Sequence, residues 1–270
     1  MPRTFKKTYR RGQPGSPKLE ALALGWLGEA PGGVRTPQVK SFSDSHLELE
    51  YLPTVPPADG AAEAFGRALA RTHAAGAPHF GAAPPGWAGP GGIGLAPLSF
   101  TAKGGLTWGE FYASERVAPY ARAAERLGAL PPGGLAVFGQ LGERLAGGVL
   151  DAPQPGLLEP AAAARVHGDL WTGNIIWTDP FSRAGGPWTG AAVVDPAAHG
   201  GHAETDLAML ALFGLAGLAT VLDAYNEVSP LADGWRERVG LHQLFPLLVH
   251  ATLFGGSYGP RAVDRAREYL

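Results

Sequence analysis

The chain has no cysteine and only two methionines in 270 residues. That absence excludes a disulfide framework, zinc ribbons and thiol catalysis. Charge is also scarce: 17% of residues are Asp, Glu, Lys or Arg, and the formal net charge is −2. A general nucleic-acid binder carries a basic excess, so no nucleic-acid partner is expected. No run of 18 apolar residues could span a bilayer, and Met1 to Arg11 lacks the apolar core of a secretory signal. The sequence therefore reads as soluble and cytoplasmic, without a membrane partner.

What is abundant is Ala, Gly and Pro, which fill 110 of the 270 positions. Leu, Val, Ile, Phe and Trp recur between them, so the chain can bury a core for one large or two smaller domains. Arginine outnumbers lysine 17 to 5, a compositional bias that carries no function.

The first 18 residues hold six basic side chains and no acid, which on composition alone reads as a solvated run. Leu19, Leu22, Leu24, Trp26 and Leu27 approximate helical spacing, with Pro17 suited to the first turn. Short strands are expected at Val34–Val39 and Leu47–Leu52, the second with Leu47, Leu49 and Tyr51 on one face. Pro53, Pro56 and Pro57 mark a boundary between a lobe at 1–53 and a lobe at 54–270. Helices are then expected over 61–75, 108–127 and 135–149, with a Gly/Pro-rich loop from 76 to about 97. A strand at Val166, strands over 175–177 and 191–195 around a turn-rich insert at 178–190, and a mostly helical remainder complete the pattern.

The chemistry-bearing pattern is His167-Gly168-Asp169, then Asn174, then Asp195 at the end of an apolar strand. Singly, Asp, Gly and Asn are common turn formers. In this order and strand–loop–strand setting they point to phosphoryl transfer, in which the protein mainly positions groups and neutralises charge. Asp169 is the candidate base for the attacking hydroxyl. Asn174 and Asp195 are candidate oxygen ligands for Mg²⁺, an ion that takes only one or two carboxylates from a protein. Two other patterns are weaker. Gly89–Gly94 superficially resembles a phosphate loop but lacks a preceding strand and a following Lys-Ser/Thr, so it reads as a surface loop. His199, His202, Glu204 and Asp206 have metal-like spacing, but their place just after Asp195 favours substrate or structural roles. His242 and His250 read as core or rim histidines.

The run His167-Gly-Asp-Leu-Trp-Thr-Gly-Asn174, together with Asp195-Pro-Ala-Ala-His199-Gly-Gly-His202-Ala-Glu-Thr-Asp206-Leu-Ala-Met209 and Leu244-Phe-Pro-Leu-Leu-Val-His250, resembles the fructosamine kinase (ketosamine-3-kinase) family. The likeness spans about residues 5–260 and is densest after 160. It implies an α+β, two-lobed, protein-kinase-like fold: a small antiparallel β lobe with one helix, and a large mainly helical lobe. It also implies ATP- and Mg²⁺-dependent phosphorylation of a sugar hydroxyl on a small-molecule or protein-bound glycated amine, a deglycation step. Asp169 would be the base, Asn174 and Asp195 the metal ligands, and Trp171 a wall for the sugar. Trp108, with Phe111, Tyr112 and Arg116, resembles a family helix on the substrate side; His199 and His202 would also face substrate. Asp206 resembles a buried Asp that braces the catalytic loop. Ala203 stands where the family pattern has Arg.

In the small lobe, Lys7 resembles the lysine that binds the α- and β-phosphates and Glu20 its helix partner. Glu50, Tyr51 and Leu52 resemble the hinge that holds adenine. The family's Gly-rich hairpin precedes that lysine strand, and four residues cannot hold two strands and a turn. Two readings follow: the natural protein starts further upstream and is active, which the intact set of Asp169, Asn174 and Asp195 favours, or this is a variant with weakened or lost ATP binding. The small lobe, truncated in this way, is expected to leave an exposed sheet edge and poor turnover. The alternative readings are a kinase for another small hydroxyl-bearing amine, such as an aminoglycoside, or a non-catalytic kinase-fold binder.

Overall fold

A computed structural model describes residues 3–10, 12–179 and 190–270. Most of the turn-rich insert expected at 178–190 lies outside these residues.

The chain opens with strand β1 (Thr4–Thr8) and helix α1 (Pro17–Gly28), followed by β2 (Val39–Phe42) and β3 (His46–Glu50). The three strands form an antiparallel sheet in the order β1-β3-β2, with Lys7 opposite Leu47. Ser16 caps α1: its Oγ accepts from the Leu19 N–H at 3.1 Å, and Pro17 takes the first turn, where no intrahelical donor is needed. Leu47 and Leu49, two residues apart on β3, bury themselves against Ala21 and Leu24 of the helix. The strand expected over 34–39 does not form. Pro37 has no N–H for a ladder, and only Arg35 makes a bridge, parallel to Ala192, whose neighbour Val193 donates to the Arg35 carbonyl at 2.9 Å.

Helix α2 (Ala61–Ala74) begins the larger, helical part of the molecule. The stretch expected to be loop contains a small hairpin, β4 (Gly91–Ile93) and β5 (Ala96–Leu98), turned at Gly94 with φ +56°. Three-residue strands containing Gly and Pro give no alternation to read, yet Ile93, Ala96 and Leu98 are buried in the helical core. The helix expected over 108–127 comprises α3 (Trp108–Phe111), a π turn (Tyr112–Val117) and α4 (Ala118–Arg126), started by a capping box between Thr107 and Glu110. Pro119 cannot donate back to residue 115 and crowds that carbonyl, and the wider turn lies just before it.

Helix α5 (Gly134–Ala146) is followed by β6 (Ala164–Val166), β7 (Ile175–Trp177), β8 (Ala191–Val193) and β9 (His199–Gly201). These strands pair as two antiparallel hairpin-like ladders, β6 with β9 and β7 with β8. Helices α6 (Ala203–Phe213), α7 (Leu218–Val228), α8 (Trp235–His242), α9 (Leu244–Phe254) and α10 (Tyr258–Arg267) close the fold. Among the described residues no helix is long and apolar enough to cross a membrane.

Helix α2 packs extensively on α7. Phe65 and Leu69 pack on Val221 and Tyr225, each large apolar side chain contributing about 1.5–3 kcal/mol by burial. Gly66 permits that approach, because a Cβ there would lie 2.2 Å from the Val221 carbonyl oxygen. Replacing Gly66 with Ala overpacks this contact and should destabilise the protein by about 1–3 kcal/mol. A lowered urea midpoint with unchanged slope is the expected result.

Candidate functional site

The loop between β6 and β7 is held from beneath by Asp206 on α6. Its carboxylate accepts from the backbone N–H of His167 at 2.7 Å and of Gly168 at 2.9 Å. It also accepts from His73 Nε2 on α2 at 3.1 Å, and His73 Nδ1 accepts from the Tyr225 hydroxyl on α7 at 2.9 Å. Burial would raise the Asp206 pKa, but the His73 and loop donors outweigh it and hold the group below the usual carboxylate range. Gly168 has φ +79°, and a Cβ there would strike the Ala197 carbonyl at 2.3 Å. Only glycine fits this turn. His167 is fixed by two bonds: Nε2 donates to Val194 O at 3.0 Å, and Nδ1 accepts from the Asp169 N–H at 3.3 Å.

Asp169 lies at the top of this loop. The Asn174 side-chain Nδ2 donates to its backbone oxygen at 2.8 Å and to its Oδ2 at 3.1 Å, which leaves Asn174 Oδ1 as that amide's oxygen for another partner. Burial pushes the Asp169 pKa up to about 6, with Asp195 and Asp206 adding to the effect and Asn174 and Lys7 opposing it. Asp195, just past β8, has φ +55°, the one left-handed non-glycine backbone among the described residues. Such a conformation costs about 1–3 kcal/mol and concentrates at functional positions.

Lys7 spans the two parts of the molecule, with Nζ 2.7 Å from Glu20 Oε2 and 3.0 Å from Asp195 Oδ1. Burial would lower its pKa, but the two carboxylates outweigh that and keep it charged. Tyr9 donates its hydroxyl to the same Glu20 oxygen. The sequence reading missed Tyr9, although residues two apart in an extended segment share a face and Lys7 was already placed. Lys7, Glu20, Asp169, Asn174, Asp195 and Trp171 line one cleft of about 400 Å³. Gly92, Ile93, Gly94 and Leu95 line it too, so the glycine stretch read as a surface loop forms a cleft wall. Trp171 lies over Gly173, where a Cβ would meet the indole at 2.3 Å.

Other expected residues lie elsewhere. Trp108 is buried, stacked on Tyr112 at 5.0 Å and edge-on to His202 at 5.5 Å. His199 is buried, with Nδ1 donating to Ala197 O at 2.8 Å, and burial pushes its pKa down to about 3. His202 is buried at the start of α6, where Nδ1 accepts from the Glu204 N–H at 3.2 Å and Nε2 donates to Ala152 O at 3.3 Å; burial pushes its pKa down to about 3. None of these three presents a surface to a substrate in the cleft, so the expected substrate contacts at Trp108, His199 and His202 are corrected to packing roles. Glu50, Tyr51 and Leu52 lie at the end of β3. Glu50 pairs with Arg35 at 2.5 Å and Tyr51 packs under Arg3, and they do not line the 400 Å³ cleft.

Two sets of groups could hold a metal. Asn174 Oδ1 and the Asp195 carboxylate are hard oxygen donors lining the cleft, and they fit Mg²⁺. His202, Glu204 and His242 also converge. There Arg238 already holds the Glu204 carboxylate at 2.6 and 2.9 Å, and both His202 nitrogens are bonded. That group is a buried ion network.

Known proteins resemble this chain in sequence and fold. The fructosamine kinase family profile matches residues 3–270. A protein of Enterococcus faecium named "Probable ketoamine kinase" is 40% identical over 120 residues, 44% of this chain and 39% of that relative. The matched stretch thus spans well under half of that relative's length. A crystal structure from Thermobifida fusca, provisionally assigned as a fructosamine-3-kinase, is 46% identical, with a TM-score of 0.83 over 99% of this chain and 85% of that one. The protein of the gentamicin–APH(2″)-IIa complex is 13% identical, with a TM-score of 0.53 over 99% and 84% of the chains. It shares the fold, which is protein-kinase-like and α+β.

Replacing Asp206 with Asn would remove one charged acceptor from a site fully enclosed by protein. We expect a loss of about 1–3 kcal/mol in stability together with a drop in turnover. Thermal unfolding and steady-state kinetics on the same preparation check both.

Proposed function

The chain belongs to the fructosamine kinase family, and on that premise we propose that it transfers the γ-phosphoryl group of ATP to a sugar hydroxyl of a small-molecule or protein-bound glycated amine. The observation that carries this reading is the shared cleft in which Asp169, Asn174, Asp195 and Lys7 meet.

Phosphoryl transfer asks the protein for positioning and charge stabilisation rather than for covalent chemistry. Asp169 faces the cleft with a pKa near 6. At neutral pH it is ionised but basic enough to accept the proton of the sugar hydroxyl as that oxygen bonds to phosphorus and ADP leaves. Asn174 holds Asp169 by its amide nitrogen, which leaves its oxygen as a ligand for the metal when one is bound. Mg²⁺, when bound by Asn174 and Asp195, would neutralise the phosphate charge. Lys7 would exchange its Asp195 contact for the α- and β-phosphates, while Glu20, bonded also by Tyr9, keeps the ammonium in place. Trp171, 38% exposed at the cleft, offers an aromatic face to the apolar side of the sugar. The family likeness would place the adenine against the backbone of Glu50 to Leu52, beyond the residues that line the 400 Å³ cleft.

Incubation with ATP, Mg²⁺ and a fructosyl-amine should yield a phosphorylated sugar. Asp169→Asn should reduce turnover by about 10²–10⁴-fold, the range for a positioned base, with the fold retained by circular dichroism. Unchanged turnover would refute the assignment of the base. Because Asp169 accepts a proton only when ionised, kcat/KM should fall as the pH drops through about 6 and level off above it. A profile without an acidic limb there contradicts the role.

A further inference from the structure

Trp171, on the rim of the cleft, begins a chain of ring contacts that runs outward from it. The indole meets Phe213 edge-on with centroids 6.1 Å apart, Phe213 lies 4.8 Å from His250, and His250 lies 5.4 Å from Phe254. Phe254, the last residue of α9, is 69% exposed. The β4–β5 tip approaches the same helix end: a Cβ on Gly94 would lie 3.5 Å from Leu253 Cδ1. Leu95, beside it, lines the cleft and is also 69% exposed. A continuous apolar path thus leads from the loop that carries Asp169 to solvent. Trp171, Phe254 and Leu95 are exposed and Phe213 and His250 half-buried between them, and exposed apolar side chains grouped in this way mark a binding surface.

We propose that this file, Trp171–Phe213–His250–Phe254 with the Leu95 tip, binds the amine portion of the ketoamine, and that it selects amines bearing an apolar aromatic group. This rests on the kinase reading above. The sugar hydroxyl must reach Asp169, and the amine, at the other end of the substrate, must leave the cleft along its wall. The file offers rings for stacking and no carboxylate for a cationic tail. The three cleft carboxylates are already occupied: Glu20 and Asp195 bind Lys7, and Asp169 is bonded by Asn174. His250 donates Nδ1 to Pro246 O at 2.8 Å, and burial lowers its pKa, so the path is uncharged at neutral pH.

The test compares the fructosyl conjugates of benzylamine and of methylamine on the full chain, by calorimetric binding and by phosphorylation with ATP and Mg²⁺. The expected result is about tenfold tighter binding and lower KM for the benzylamine conjugate. Phe254→Ala and Leu95→Ser, both at exposed positions, should shrink that preference about tenfold. Equal binding of the two conjugates by the unaltered protein would overturn the proposal, as would a preference that both variants retain. Binding preference without turnover of either conjugate would sink the kinase reading and leave the aromatic strip standing. If the file is instead buried between two copies of the chain, sedimentation should show a dimer that Phe254→Ala dissociates without altering the preference, and that outcome also overturns the proposal.

Discussion

A single buried carboxylate organises the site. Asp206 receives two backbone N–H groups of the loop between β6 and β7 and the imidazole of His73, which in turn receives the Tyr225 hydroxyl. Three helices and one loop therefore meet at one charge. Removing a partner from such a buried group is costly, on the order of 1–3 kcal/mol. The α2–α7 contact at Gly66 serves the same end, since it brings His73 and Tyr225 within reach of each other. Asp169 can be displayed at the cleft with a raised pKa because the backbone beneath it is fixed from behind.

Lys7 carries the second constraint. It lies on the edge strand of the small sheet, yet one of its two carboxylate partners belongs to α1 and the other to the segment after β8. The small sheet and the cleft residues around Asp195 are thereby tied together by ion pairs. Asp195 contributes a strained backbone, so the position is specified by more than its charge. Electrostatics and local strain converge on the same few atoms, as preorganised charge stabilisation requires.

Much of this was legible in the chain. The order His167, Asp169, Asn174, Asp195 lies within about 30 residues, so strand–loop–strand geometry alone confines the four to one edge. Lys7 and Glu20 were found through family likeness and meet at 2.7 Å. The errors have a common physical origin. Trp108, His199 and His202 carry polar or aromatic groups suited to a substrate, but which way each side chain faces is set by packing between helices distant in sequence. His202 is enclosed by Trp108 and His242, a meeting of three separate segments that no local pattern encodes. The β4–β5 hairpin escaped for a related reason: Gly and Pro suppress the alternation by which a strand is recognised, and its register is held by the core around it.

By itself the sequence displayed one candidate base and two candidate oxygen ligands at short, ordered spacing, the pattern that points to phosphoryl transfer. It also determined the helix and strand alternation that separates the small sheet from the helical body. The tertiary structure alone decided which candidates reach the cleft, that Tyr9 joins Lys7 and Glu20, and that a glycine hairpin forms part of its wall. Spacing along a chain fixes chemistry only over a loop's reach. Burial, side-chain direction and the meeting of distant helices depend on how the whole core packs.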